Sequence, residues 1–208
     1  MTLDFLPAHH ADDTAKILAS KWQDRGASYT AGDEHTGRGW HTAKYRRTLS
    51  FPGPEVAAVF DQARARLINC DFVPFHRATF TGIWNSQGRL PQPGDLLFQR
   101  FHLLRFAGRS LLDLLATARI ADLNDQPGYF TIQTSTTRGH PIPGSADYAV
   151  AVERGEVVFE MQVIARPGTM FTWLTWPLVS WYQKKFWQAI LTTMVKGVRL
   201  DLTEGPNV

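Results

Sequence analysis

The sequence predicts an α+β domain in which a curved antiparallel β-sheet wraps around a long C-terminal α-helix. Three patterns predict it. From Pro177 to Gly197 apolar residues keep a helical period without a break. From residue 79 to residue 164 short apolar stretches recur between turn signals, the spacing of antiparallel strands. Arg166-Pro167-Gly168 then breaks the chain between sheet and helix, followed by the aromatic segment Phe171, Trp173 and Trp176.

The elements follow in order. Asp12-Asp13 reads as an N-cap, and Ala15, Leu18 and Trp22 share a helix face up to Gly26. Residues 1–27 are therefore expected as a helical extension on a single domain spanning 1–208. Residues 26–39, rich in Gly, Thr and Asp, read as loop, and residues 40–51 as a strand. Gly53-Pro54-Glu55 opens a helix in which Val56, Val59, Phe60, Ala63 and Leu67 repeat on one face, with Arg64 and Arg66 pointing away. Residues 69–78, with Pro74, form a connection. In the strand-rich region, turns are expected at Asn85-Ser86-Gln87-Gly88, Pro93-Gly94, Asn124-Asp125 and Pro127-Gly128. Residues 110–115 fit a strand or a helical turn.

The clearest hairpin joins 148–152 to 157–163 around Arg154-Gly155. In its second arm Val157, Phe159, Met161 and Val163 alternate with Val158, Glu160 and Gln162, so one face turns inward. Pro177 suits the first turn of the last helix, where its missing N–H is not needed. Successive helical residues lie about 100° apart. That places Lys184, Lys185, Gln188, Thr192 and Lys196 on one narrow face. Val179, Tyr182, Phe186, Trp187, Ile190, Leu191 and Met194 cover the rest. A helix with so wide an apolar face needs a broad apolar surface, and the strands supply one. If the sheet curves enough, the helix leaves part of its concave side unfilled, and such cavities are the usual small-molecule sites.

Composition narrows the function. The chain has 208 residues, 44% hydrophobic and 20% charged, as in a globular protein of one domain. Its net charge of +3 comes without any run of like charges that would call for nucleic acid. One cysteine, Cys70, excludes an internal disulfide; a buried thiol is expected. The start lacks a basic and apolar leader, and no apolar run is long enough to span a bilayer, so a cytoplasmic location is expected. There is no P-loop, dinucleotide fingerprint, His-Glu-x-x-His or Gly-x-Ser-x-Gly. No cofactor and no metal are expected: His9, His10, Asp12 and Asp13 match no closed zinc spacing and read as terminus and cap. The unusual feature is seven Trp and thirteen Phe, enough to build a core, line a cavity, or both.

Several segments together resemble a domain-of-unknown-function family, numbered nineteen-ninety, of bacteria and plants. They are Gly39-Trp40-His41 with Arg46 and Arg47, Gly53-Pro54-Glu55-Val56 with Arg64, Gly139-His140-Pro141 with Gly144, Arg166-Pro167, Pro177-Leu178 and Gln183-Lys184-Lys185-Phe186. Tyr29 stands where that family has a Tyr-containing segment. The likeness covers roughly residues 28–197. It departs after Gly-His-Pro, where Ile142 to Ala146 carry no acid before Asp147. The family is related to the START-like, helix-grip superfamily. The resemblance thus implies the architecture that periodicity suggests.

The candidate site residues follow from chemistry and placement. His140, in a turn-forming stretch, is a candidate to hydrogen-bond a ligand, to act as general acid or base, or to tie down its loop. His41 beside Trp40 is similar. Arg166 is a candidate for an acidic ligand group or for carbonyls at the junction. Gln183, a polar residue in the apolar arc, needs a partner when buried. Tyr148, Phe159, Met161, Phe186, Trp187 and Ile190 are candidates for cavity wall or plain core. The expected partner is a small hydrophobic ligand: a lipid, an isoprenoid or a polyketide-like aromatic. An enzyme of cyclase, hydrolase or isomerase type in the same cavity is the alternative. A third reading takes Phe171, Trp173, Leu174 and Trp176, followed by Lys184-Lys185, as a peripheral membrane anchor.

Overall fold

The computed structural model describes residues 5–6, 22–29, 39–107 and 109–204. The expected helix after Asp13, up to residue 21, and the His9, His10, Asp12, Asp13 cluster lie outside the described residues. The strands are β1 (Phe5–Leu6), β2 (His41–Ser50), β3 (Ala78–Gly82), β4 (Leu96–Phe106), β5 (Arg109–Gln126), β6 (Tyr129–Thr136), β7 (Gly144–Glu153) and β8 (Glu156–Ala165). The helices are α1 (Val56–Asn69), α2 (Ile83–Gln87), α3 (Met170–Leu174) and α4 (Trp176–Glu204). Seven strands form one antiparallel sheet in the order β2-β8-β7-β6-β5-β4-β3, with β1 paired to β5.

Local chemistry explains most boundaries. β7 and β8 are joined by Arg154 and Gly155, at φ 53° and 81°. Two left-handed residues are what a two-residue hairpin turn requires. Residues 110–115 belong to β5, paired with β4, so the helical-turn option fails. Asn85-Ser86-Gln87 is not a bare turn but part of α2. Asn85 Oδ1 accepts the Gly82 N–H at 2.9 Å, and Trp84, fully buried, donates its ring N–H to the Ile68 carbonyl at 2.7 Å. Thr169 and Thr172 cap α3 reciprocally.

α4 runs past Gly197 to Glu204. The glycine is there for packing: a Cβ on it would lie 2.2 Å from the guanidinium carbon of Arg66. Arg66 therefore packs across α4 rather than pointing away from the fold. Arg64 is also engaged, paired with Asp125 and lying 5.2 Å over the Phe130 ring.

This crossing positions the site. α1 wedges between the sheet and the C-terminal half of α4. Val59, Phe60, Ala63 and Leu67 join Phe159, Met161, Val150, Ile190 and Met194 in one buried cluster. The N-terminal half of α4 covers the other end of the sheet, where no α1 residue intervenes.

Candidate functional site

A cavity of about 440 Å³ lies between the sheet and that N-terminal half of α4. β3 and β4 contribute Phe80, Gln99 and Phe101; β6, β7 and β8 contribute Thr134, Ala146, Tyr148 and Val163. α4 closes it with Val179, Gln183, Phe186 and Trp187. Leu103, Leu178, Trp181 and Tyr182 line it too while remaining exposed, and so form its mouth.

The third wall is the loop His140-Pro141-Ile142, and its backbone is fixed from two sides. Its own bonds run from the His140 N–H to the Thr137 carbonyl at 3.0 Å and from the Ile142 N–H to His140 Nδ1 at 3.1 Å. The Arg166 and Gly168 amides donate to the Pro143 and Pro141 carbonyls at 3.0 and 3.3 Å. A Cβ on Gly168 would lie 2.3 Å from Pro143 Cδ, and one on Gly144 would lie 2.1 Å from the Ile164 carbonyl oxygen. Gly139-His140-Pro141, Gly144 and Arg166-Pro167-Gly168 are thus one packing unit, which needs glycine where backbones touch.

The His140 ring is oriented by these bonds. Nδ1 accepts, so Nε2 carries the proton, and it lies 3.4 Å from the Gln99 side-chain oxygen. Burial lowers the imidazole from 6.5 to about 4, leaving it neutral at ordinary pH. It is a hydrogen-bond donor rather than a poised base. The shift also carries a stability prediction. Between pH 6.5 and 4 the unfolded chain takes up a proton that the folded one refuses. Stability from this group is complete above the upper value and lost as pH falls towards the lower. The thermal midpoint should therefore fall from pH 7 to pH 5, and that of His140→Asn, whose Oδ1 replaces the accepting Nδ1, should fall less. Parallel pH profiles of the two proteins would refute it.

Tyr148 sits across the floor. It is 2% exposed, burial pushes its hydroxyl well above the ordinary phenol value, and that hydroxyl has no hydrogen-bond partner among the described residues. A buried polar atom without a partner is expensive; this one has almost no accessible surface and lies within electrostatic reach of Cys70, so Tyr148 offers the cavity its ring rather than its oxygen. Thr134 and Thr136 are satisfied by the Ala146 and Gly144 backbones. No Asp, Glu, Lys, Arg or Cys lines the cavity among the described residues. Cys70 lies buried in the core, its thiol pushed up to about 12 by that burial. The cavity lining is therefore uncharged among the described residues and mostly apolar, with a few side-chain polar groups.

The sequence candidates divide into three groups. His140, Tyr148, Gln183, Phe186 and Trp187 are brought together on the cavity wall. Phe159, Met161 and Ile190 are fully buried and packed with α1, so they are core and not wall. Trp40, His41 and Arg166 lie elsewhere. The Arg166 guanidinium stacks 4.6 Å over the Trp40 ring, Tyr29 meets Trp40 edge-on, and His41 lies 4.9 Å from Trp176. Arg166 is thus occupied at the sheet edge and does not face the cavity. Gln99 was not singled out in the sequence. Its signal is a polar residue at an inward position, in register with Leu97 and Phe101.

On the other face of β6 to β8, a second pocket of about 380 Å³ is lined by Tyr29, Gln133, Asp147 and Gln162, with the Asp147 carboxyl raised by burial. That pocket mixes polar groups with Ala27, Ala121 and Ile164, and Thr134, Ser145 and Ile164 border both pockets.

No functionally curated protein matches the sequence. A hypothetical protein from Helicobacter pylori is 9% identical, with 82% of this chain and 95% of that one covered and a TM-score of 0.54. Norcoclaurine synthase from Thalictrum flavum is 11% identical, with 82% and 93% covered and a TM-score of 0.46. Ara h 8.0201 is 13% identical, with 77% and 98% covered and a TM-score of 0.48. At such identities the Helicobacter structure speaks for fold alone, and the fold is the helix grip: a curved antiparallel sheet around a long C-terminal helix. The family model described as "Domain of unknown function (DUF1990)" matches residues 23–193, and the chain belongs to that family.

Proposed function

We propose that the protein binds a small, uncharged, mainly apolar ligand in the cavity under α4, a lipid, isoprenoid or polyketide-like aromatic with a hydroxyl or carbonyl group. The observation that carries this reading is the cavity itself: its wall holds no charged side chain among the described residues and is mostly aliphatic and aromatic, with Gln99, His140 and Gln183 as its larger polar groups. Each ligand methylene moved from water into such a wall contributes about 0.8 kcal/mol, so affinity needs no charged anchor. The neutral, donor-oriented His140 supports binding over acid–base catalysis.

Native mass spectrometry and solvent extraction of the purified protein test the proposal directly. A neutral, environment-sensitive dye such as Nile red should compete with whatever is extracted. Gln183→Leu should weaken an oxygen-bearing ligand about tenfold, the worth of one hydrogen bond, and leave a pure hydrocarbon of similar size unaffected, because Gln183 is a polar side chain on the wall. Failure of every apolar probe to bind would end this reading.

A further inference from the structure

The mouth of the cavity opens onto an apolar surface. Phe171, Trp173 and Leu174 of α3 are 72%, 68% and 70% exposed, and Leu178 and Trp181 of α4 are 65% and 57% exposed. α3 turns only Thr172 inward. On the opposite rim, Leu103 is 46% exposed. Leu103, Leu178 and Trp181 line the cavity as well, so the surface and the mouth are continuous. Soluble faces seldom gather so many large apolar side chains without a partner. Trp176, by contrast, is tucked against His41 and belongs to the fold.

The elements that carry this surface bear charge of one sign. From residue 170 to residue 187 there is no Asp or Glu, while Lys184 and Lys185 are cationic. Lys184 and Lys185 follow Trp181 by three and four residues and are exposed, so the ammonium groups flank the exposed ring on one side of the helix. Tryptophan beside lysine, with leucine projecting between, suits the boundary between lipid headgroups and acyl chains. A second copy of the same cationic face would be repelled, whereas a negatively charged bilayer surface attracts it.

We propose that α3 and the first turns of α4, with the Leu103 rim, dock on an anionic lipid bilayer, and that the apolar ligand passes between bilayer and cavity at that contact. The docking half rests on the surface alone; the passage half rests on the ligand-binding reading above. The geometry gives the ligand a path that avoids water, because Leu103, Leu178 and Trp181 belong both to the docking surface and to the mouth.

Co-sedimentation with vesicles of phosphatidylcholine, with and without phosphatidylserine, tests the docking. The full chain should bind the serine-containing vesicles, with tryptophan emission shifted to shorter wavelength and binding weakened by added salt. Phe171→Ser/Trp173→Ser, neither of which lines the cavity, should bind at least about tenfold more weakly while still taking up Nile red. Lys184→Gln/Lys185→Gln should lose about tenfold on anionic vesicles only. Equal binding of wild type and both variants, or no binding by wild type, overturns the docking. So does a stable dimer of the wild type that the Ser variant dissolves, since the surface would then be an interface between copies. Vesicle binding without dye uptake in the wild type would leave docking standing and remove the ligand.

Discussion

Ala146→Phe should abolish uptake of Nile red, by tenfold or more, without lowering the thermal midpoint. Ala146 lies on β7 two residues before Tyr148, only partly buried, and its methyl faces the cavity. The register pairs it with Val163 of β8 and Thr134 of β6, both also on the wall. A phenyl ring there grows into open space rather than into packed atoms. Overpacking is destabilising where a core is full, but filling a void restores dispersion contacts and removes the penalty. Loss of binding with retained stability is thus the signature of an occupied cavity. The same substitution at Val150, fully buried in the core, should instead destabilise the fold. Unchanged dye affinity in Ala146→Phe would show that the dye binds elsewhere.

The second large effect concerns stability. Asp113→Ala should lower unfolding free energy by about 3 kcal/mol, as expected when a buried, hydrogen-bonded charge is removed from its partners. At this chain length that shift lowers the thermal midpoint by roughly 6–12 °C. Asp113 is fully buried on β5; its Oδ2 accepts from Arg100 Nε at 2.7 Å, while its Oδ1 accepts from Ser110 and lies 2.8 Å from His102 Nδ1. Thr79 stands 3.3 Å from the far nitrogen of His102. The network ties β3, β4 and β5 together on the face away from the cavity.

Burial alone would raise this carboxyl; the hydrogen bonds from Ser110, His102 and Arg100, with the Arg100 charge, outweigh it and hold the group below the usual carboxylate range. A carboxylate so depressed contributes stability above its unfolded value, about 3.9, and loses it as pH falls through the folded value. Wild type and Asp113→Asn should therefore differ clearly in urea unfolding at pH 7 and converge in strong acid. A constant difference across that range would show that charge is not what the network uses.

The parts of the fold legible in sequence were those with a strong local period. β8 alternates, α1 and α4 keep a helical stripe, and the β7–β8 turn carries Gly155 where a left-handed residue is needed. The failures have physical causes. Residues 110–115 have an apolar run with no clean alternation, because Asp113 is buried by its polar network on the face away from the cavity. Arg64 and Arg66 read as solvent-facing because periodicity ignores what a long side chain reaches. One finds Asp125 and the other the notch at Gly197. Phe159, Met161 and Ile190 are indistinguishable in sequence from Tyr148, Phe186 and Trp187: all are large apolar residues at inward positions. The difference is whether α1 lies against them, and no local pattern encodes that.

Local pattern along the chain was enough to place α1, the hairpin of β7 and β8, and α4, to pick the inward faces of β8, α1 and α4, and to keep charge out of most inward positions. These follow from alternation, helical period and turn chemistry, all set by residues a few places apart. Where the interior is filled and where it stays open is set by packing between distant segments. That depends on α1 stopping short of the first turns of α4, on the Arg66–Gly197 crossing that sets how the two helices pack, and on the glycine contacts that hold His140 against the wall. Each of these is a meeting of atoms distant along the chain, and its energy exists only once the chain has folded.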